Sequence, residues 1–296
     1  MRNPMKNMSR KFIKKVKLIE KAKSIKRTAI NSIFLIKPGL ILWLSLLYLT
    51  LSPFFLVFLG HHCWGLPLEK QLSGEIILQR LDANLTSDNK IIQATMTVHG
   101  RRTSRTFRMK SWIQGTEKAF TEYLDPPRER GTKMLKIEDK LWLYSPDTDR
   151  IIMISGHMLR QSVMGSDLSY EDLMEDPVLH NLYTAQIIED TIYENQPCWV
   201  LKLTAKKQDV AYHEKKLWVD KEKYIALYEE WYAKGGKLLK TIIRQRVEKI
   251  NNRWVPMEGI FKDVLKEGSG TEFKIEEITF NASIPEYIFS KANLRR

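Results

Sequence analysis

The residues of this chain that could do chemistry are few and scattered. Its six histidines are His61, His62, His99, His157, His180 and His213. None forms the i,i+4 helical pair with which a zinc protease holds its metal, and His213-Glu214 lacks that motif's second histidine. Cys63 and Cys198 are the only cysteines, too few for a disulfide framework or a zinc set. Cys198 lies in an apolar strand pattern and is expected as a buried free thiol, a bridge to Cys63 being the alternative in an oxidising compartment. Gly268-Ser269-Gly270 has the wrong glycine spacing for a nucleophile elbow, and there is no glycine-rich phosphate loop. The densest carboxylates, Glu171, Asp172, Glu175 and Asp176, are expected as a solvated or helix-capping face. With no catalytic constellation, no metal set and no cofactor motif, the sequence argues against an enzyme. What remains is binding.

For binding the chain has ample material. In the segment from Cys198, Trp199, Leu201 and Leu203 fall on one side and Lys202 on the other; after Gly270, Phe273 and Ile275 alternate with Lys274. A period of two is that of a strand with one buried face, so one face of a sheet is expected to be apolar throughout. These five residues are the candidate floor of an apolar ligand site. Met153 to Asp176 is the long interruption in the strand-like run. It is rich in apolar residues (Met158, Leu159, Val163, Met164, Leu168, Leu173), which argues against disorder. Gly165, Ser166 and Asp167 supply turn chemistry, and Ser169 three residues before Asp172 predicts a helix cap ahead of Tyr170. We read Met158, Leu159, Val163, Met164, Gly165, Ser166, Asp167, Leu168 and Tyr170 as a folded lid over that floor.

The elements that must position these residues are mostly strands. Ser73 is a plausible N-cap, and Ile77, Leu78, Leu81 and Leu85 share a helical stripe, predicting one amphipathic helix over 73–85. Thirteen strand-length segments follow, six between 91 and 154 and seven between 183 and 280, separated by short turn signals such as Asp125-Pro126-Pro127, Gly235-Gly236 and Asn251-Asn252. That spacing predicts an antiparallel meander forming one large curved sheet, mainly β with a minor α component.

The net charge of +13 suggests nucleic acid until it is mapped. Residues 1–39 hold 12 Lys/Arg and one acid, Glu20, leaving 36 basic and 34 acidic residues beyond. The near-neutral body lacks the basic face that nucleic-acid binding requires. The basic tail (1–39) precedes an apolar run over 40–60 that is long enough to span a bilayer. By the positive-inside rule the tail is cytoplasmic and the rest lies across the membrane. The exit Phe58-Leu59-Gly60-His61-His62-Cys63 fits a signal-cleavage site poorly, favouring an uncleaved transmembrane anchor; the alternative is a cleaved signal with translation starting at Met5 or Met8. A linker over 61–72 leads into the domain, 73–296.

The order helix, strands, Met164-Gly-Ser-Asp-Leu-Ser-Tyr-Glu-Asp-Leu173, strands resembles the outer-membrane lipoprotein-sorting (LolA-like) family. So do Pro127-Arg-Glu-Arg-Gly-Thr-Lys-Met-Leu135, Leu141-Trp-Leu-Tyr144 followed by Pro146, Leu217-Trp-Val-Asp220 and the closing Phe289-x-Lys-Ala-x-Leu294. The resemblance covers 73–296. It implies a half-open antiparallel barrel, closed by helices, that holds lipoprotein acyl chains or phospholipid while they cross the periplasm of a Gram-negative-type bacterium. A retained anchor implies a domain tethered to the inner membrane, with an inner-membrane transporter as a possible partner; a cleaved signal would leave it free in the periplasm. A membrane-anchored periplasmic sensor is the alternative function.

Overall fold

A computed structural model describes residues 72–296. The expected basic tail, transmembrane anchor and Cys63 lie outside these residues. Helix α1 (Gly74–Leu85) starts where the sequence places it: the Ser73 side chain accepts the Ile76 N–H, Glu75 sits in the first turn, and Ile77, Leu78 and Leu81 are buried.

Thirteen strands follow: β1 (Asn89–His99), β2 (Ser104–Gln114), β3 (Lys118–Asp125), β4 (Lys133–Ile137), β5 (Lys140–Ser145), β6 (Arg150–Ile154), β7 (Tyr183–Tyr193), β8 (Gln196–Ala205), β9 (Glu214–Asp220), β10 (Ala226–Tyr232), β11 (Leu238–Ile250), β12 (Arg253–Asp263) and β13 (Gly270–Phe280). They form one open sheet in the order β6-β5-β4-β3-β2-β1-β13-β12-β11-β10-β9-β8-β7. Two meanders are thus joined where β1 pairs antiparallel with β13 (Met96 opposite Phe273). The edges are β6 and β7, and the segment 155–182 connects one edge to the other.

That segment holds two 3-10 turns (Gly156–Arg160 and Val163–Gly165), helix α2 (Tyr170–Met174) and helix α3 (Leu179–Leu182). Its first half folds back on itself: the Val163 N–H reaches the Leu168 carbonyl at 2.9 Å and the Tyr170 N–H reaches that of Gln161 at 3.1 Å. Met164 (φ 52°) and Gly165 (φ 72°) turn the chain through the left-handed region, the conformation in which glycine costs least.

Register carries one face through all thirteen strands. On it, Met96 opposes Phe273, Arg244 opposes Gly259, Ile242 opposes Glu229, and Leu217 opposes both Glu229 and Leu201. We call this the inner face. Over β1 to β6 the segment 155–182 covers it, with Val163 and Tyr170 joining Met96, Phe107, Met109, Tyr123 and Ile154. Over β8 to β10 the cover is α1, whose Ile77, Leu78 and Leu81 meet Leu201, Leu203, Leu217 and Val219. The outer face of β3 to β5 has a cover of its own: the C-terminal 3-10 turns Glu286–Phe289 and Lys291–Arg295 bury Phe289 and Leu294 against Phe120, Leu135 and Trp142.

The inner face departs from the sequence expectation. It is not apolar throughout: Lys215, Glu229 and Lys240 are buried in it, and Arg244 is largely so.

Candidate functional site

The candidate floor residues share the inner face but not one patch. Leu201 and Leu203 are completely buried beneath α1, and Trp199 lies at the margin of that cluster, its ring 5.6 Å from that of Tyr224. Phe273 packs under the lid and meets Phe261 edge-on at 5.5 Å. Ile275 joins a third group with Val255, Met257 and Phe280. The candidate lid residues are brought together: Met158, Leu159, Val163, Met164 and Tyr170 all contact the cluster around Met96 and Tyr123. Leu168, Ser166 and Asp167 are buried, while Gly165 is exposed at the turn.

Polar bonds fix where the lid sits. Asp167 accepts the Thr271 hydroxyl at 2.7 Å and the Asp263 N–H at 3.0 Å, and its own N–H donates to Thr271 Oγ1 at 2.9 Å. The Lys266 ammonium donates to Ser162 and to the Ser166 carbonyl, and Arg105 donates to the Met164 carbonyl at 3.1 Å. At α2, Ser169 and Asp172 form the expected capping box, the Ser169 N–H reaching Asp172 Oδ2 at 2.7 Å.

The acidic cluster does more than cap. Asp172 is also ion-paired with buried Lys240 and accepts the Tyr212 hydroxyl at 2.6 Å. Glu175 pairs with fully buried Lys215 at 2.7 Å. It also lies 2.8 Å from the Tyr183 hydroxyl, whose one proton can serve either Glu175 or the Tyr212 carbonyl at 2.9 Å. The expectation of a merely solvated or capping face therefore fails for Asp172 and Glu175. Their countercharges come from β9 and β11, distant in sequence, and hold the two carboxylates against the sheet.

Lys215 is further enclosed by rings, its ammonium standing 4.0 Å from the Trp231 centroid, 5.0 Å from Tyr183 and 5.5 Å from Tyr212. Such placement over ring faces stabilises a desolvated cation. Alongside, Glu229 takes Arg244 at 2.8 Å and the Trp231 indole N–H at 2.9 Å. Burial, followed by the neighbouring carboxylates, pushes the Tyr183 and Tyr212 phenols far above their ordinary range, so both remain protonated donors. The signal for these buried charges was present in strand parity, since Lys215 alternates in phase with Leu217 and Val219, and Lys240 with Ile242.

Between α1 and the lid lies a half-open cavity of about 430 Å³. Leu81 and Leu85 contribute from α1, Ile113 and Ala119 from β2 and β3, Leu217 and Ala226 from β9 and β10, and Leu173 and Pro177 from the lid side. β3 and β9 stand seven strand steps apart in the sheet, about 34 Å if flat. Both line this one space, so the sheet is strongly curled. The ion pairs of Glu175 with Lys215 and Glu229 with Arg244 form part of its wall. Among the described residues no group of three or more His, Cys, Asp and Glu side chains could hold a metal ion, and no helix is long and apolar enough to cross a membrane.

A curled antiparallel sheet with a helix and the segment 155–182 on its inner face fits the half-open barrel that the LolA-like resemblance implies. A family model described as that of an uncharacterized protein matches residues 115–296, and the chain belongs to that family. No curated protein matches the sequence. Among solved structures, a domain described as outer membrane lipoprotein-sorting from Vibrio parahaemolyticus is 24% identical with a TM-score of 0.67, covering 75% of this chain and 98% of its own. A DUF1329 family protein from Desulfovibrio piger is also 24% identical, with a TM-score of 0.69 over 75% of this chain and 97% of its own. A LolA superfamily protein from Nitrosomonas europaea is 22% identical with a TM-score of 0.63, covering 75% and 99%. The fold is therefore LolA-like.

Proposed function

We propose that this chain is an acyl-chain carrier of a Gram-negative-type cell envelope, tethered to the inner membrane through residues 40–60 with its sheet domain in the periplasm. The observation that carries the reading is the half-open cavity between α1 and the lid, walled by Leu81, Leu85, Ile113, Ala119, Leu217 and Ala226. Its volume falls within the ~300–1,000 Å³ usual for small-molecule sites. The LolA-like fold supports the reading, since one matched neighbour is described as lipoprotein-sorting.

Each methylene withdrawn from water is worth ~0.8 kcal/mol, so a long chain represents on the order of 10 kcal/mol, close to what the membrane itself offers. A carrier must match that value and then release. A lid whose own Met158, Leu159 and Met164 reoccupy apolar space as the ligand leaves would keep loaded and empty states near balance.

The test is photolabelling of the full chain with a photoactivatable fatty-acid methyl ester, which is an uncharged acyl probe. Labelled peptides are expected from α1, β2–β3 and the lid, and Ala119→Trp, which fills the cavity, should suppress them. Labelling confined to residues 40–60, or unchanged in Ala119→Trp, would overturn the assignment.

A further inference from the structure

The cavity wall carries more charge than its ion pairs account for. Lys90, Ile113, Ala119 and Lys136 all line it. They are direct register partners across four adjacent strands: Lys90 opposes Ile113, Ile113 opposes Ala119, and Ala119 opposes Lys136. Two lysines therefore flank two apolar residues in one straight row on the inner face. Three strand steps separate them by roughly 14 Å at the backbone, and each extended lysine stem spans roughly 6 Å, so both ammonium groups can reach one ligand lying between them.

The other cations of the wall are committed. Lys118 pairs with Glu286 at 2.5 Å, Lys215 with Glu175 at 2.7 Å and Arg244 with Glu229 at 2.8 Å. Lys90 and Lys136 have no carboxylate partner within ion-pair distance among the described residues. Each makes one hydrogen bond to a carbonyl that ends a helix, Lys90 to Leu85 at 3.1 Å and Lys136 to Met174 at 3.4 Å. An ammonium has three donors, so two on each lysine are not used by these contacts. The charged groups facing them are Arg253, which disfavours the Lys90 charge, and Asp176, which favours that of Lys136. Asp176 has its own oxygens engaged by the Val178 N–H and the Asn181 amide, both at 2.9 Å. Burial holds both lysines below the ordinary lysine range, as expected of desolvated cations.

We propose that the cavity takes an amphiphile with an anionic head group, carboxylate or phosphate, held between the ammonium groups of Lys90 and Lys136 with its chain over Ile113 and Ala119. The assignment rests on the acyl-carrier reading and narrows it to charged acyl ligands. A role in helix capping alone would give the lysines no preference for ligand charge.

The experiment compares a photoactivatable fatty acid with its methyl ester on the purified full chain in nonionic detergent at mildly alkaline pH, where the carboxylate is ionised. The acid is expected to bind about tenfold more tightly, the scale of one net charge-assisted hydrogen bond. K90M/K136M should bring the acid down to the ester's affinity while leaving the ester unchanged, and K90R/K136R should keep the preference. Equal binding of acid and ester by the unaltered chain would overturn the inference while the carrier reading stands, whereas binding of neither would overturn that reading too. Loss of ester binding in K90M/K136M would assign the lysines to helix capping and overturn the inference. Displacement of the acid but not the ester by millimolar inorganic phosphate would mark a free-anion site and overturn the amphiphile assignment.

Discussion

The contact most open to quantitative test is Lys215 with Glu175, because it joins the end of the 155–182 segment to β9, the third strand from the β7 edge. The Lys215 side chain is 1% exposed and that of Glu175 14%, so solvent screening weakens the pair little. Removing one partner of a buried pair costs ~3–5 kcal/mol, mostly because the other charge is left desolvated. Lys215→Met strands Glu175 with only the Tyr183 hydroxyl and also forfeits the ring contacts with Trp231, Tyr183 and Tyr212, so it should lie at the upper end. Glu175→Gln keeps an oxygen for Tyr183 and leaves Lys215 among its rings, so a loss of ~1–3 kcal/mol is expected.

The double variant removes both charges and should recover much of the sum, giving a coupling of ~2 kcal/mol from a double-mutant cycle in urea. Hydrogen exchange provides the local readout: amides over 163–175 should lose protection in each single variant more than those of β2 and β3. Single losses that simply add would refute the reasoning, because the pair would then not be energetically joined. Uniform loss of protection across the sheet would refute the placement of the contact at the lid.

Three further outcomes follow from individual contacts. A Cβ added to Gly74 would stand 2.6 Å from the Ala185 carbonyl oxygen and 2.8 Å from its carbon, so Gly74→Ala should destabilise by ~1–3 kcal/mol in urea unfolding as α1 is pushed off β7. The Cys198 thiol is wholly buried and pushed up to about 11, first by burial and then by the Asp220 charge; peptide mapping after iodoacetamide near neutral pH should find it unmodified until the protein is unfolded. Asp125 is held below the usual carboxylate range, chiefly by its hydrogen bond from Arg130 and also by Arg108. A depressed folded value gives stability that is present above the unfolded value, ~3.9, and lost as pH falls through the folded one. Arg130→Met should therefore lower Tm at neutral pH, with the gap to the unaltered chain closing on acidification; a gap independent of pH would refute the attribution.

Much of the fold could be read from residue spacing because its elements are set locally. Ser73 with the Ile77, Leu78, Leu81 stripe sufficed for α1, and turn signals separate the strands within each of the two meanders. The Asn251-Asn252 pair, both at positive φ, makes the hairpin between β11 and β12 legible from two residues. One strand start is set by an equally local device. Tyr224-Ile-Ala-Leu-Tyr228 is apolar and aromatic enough to be strand throughout, but Tyr224 sits at φ 54° and its N–H donates to the Asp220 carbonyl at 3.0 Å. Asp220 Oδ1 also takes the N–H groups of Glu222 and Lys223 at 2.9 and 2.8 Å, so the carboxylate extends the turn and β10 starts at Ala226. What spacing could not show was how distant segments divide the inner face. The floor residues Leu203 and Phe273 have the same parity signature, yet one lies under α1 and the other under the lid, because the two covers settle on different halves of a single sheet.

The buried charges are the harder case, and they bear on how a lid of this kind could work. Apolar contacts alone are non-directional and would tolerate many positions of a short helix on a greasy surface. Asp167 at Thr271, Asp172 at Lys240 and Glu175 at Lys215 define one. Yet a paired buried charge adds little net stability, because its attraction is spent on lost hydration, and on opening both partners regain water. Exposing Val163, Met164 and Leu168 instead costs ~25 cal/mol for each Å² uncovered, a cost that an incoming acyl chain can offset by taking their place. On the proposed carrier reading, charges specify where the lid closes, while apolar exchange sets how readily it opens. That division would give the polar residues of the inner face a purpose that a purely hydrophobic sheet could not serve.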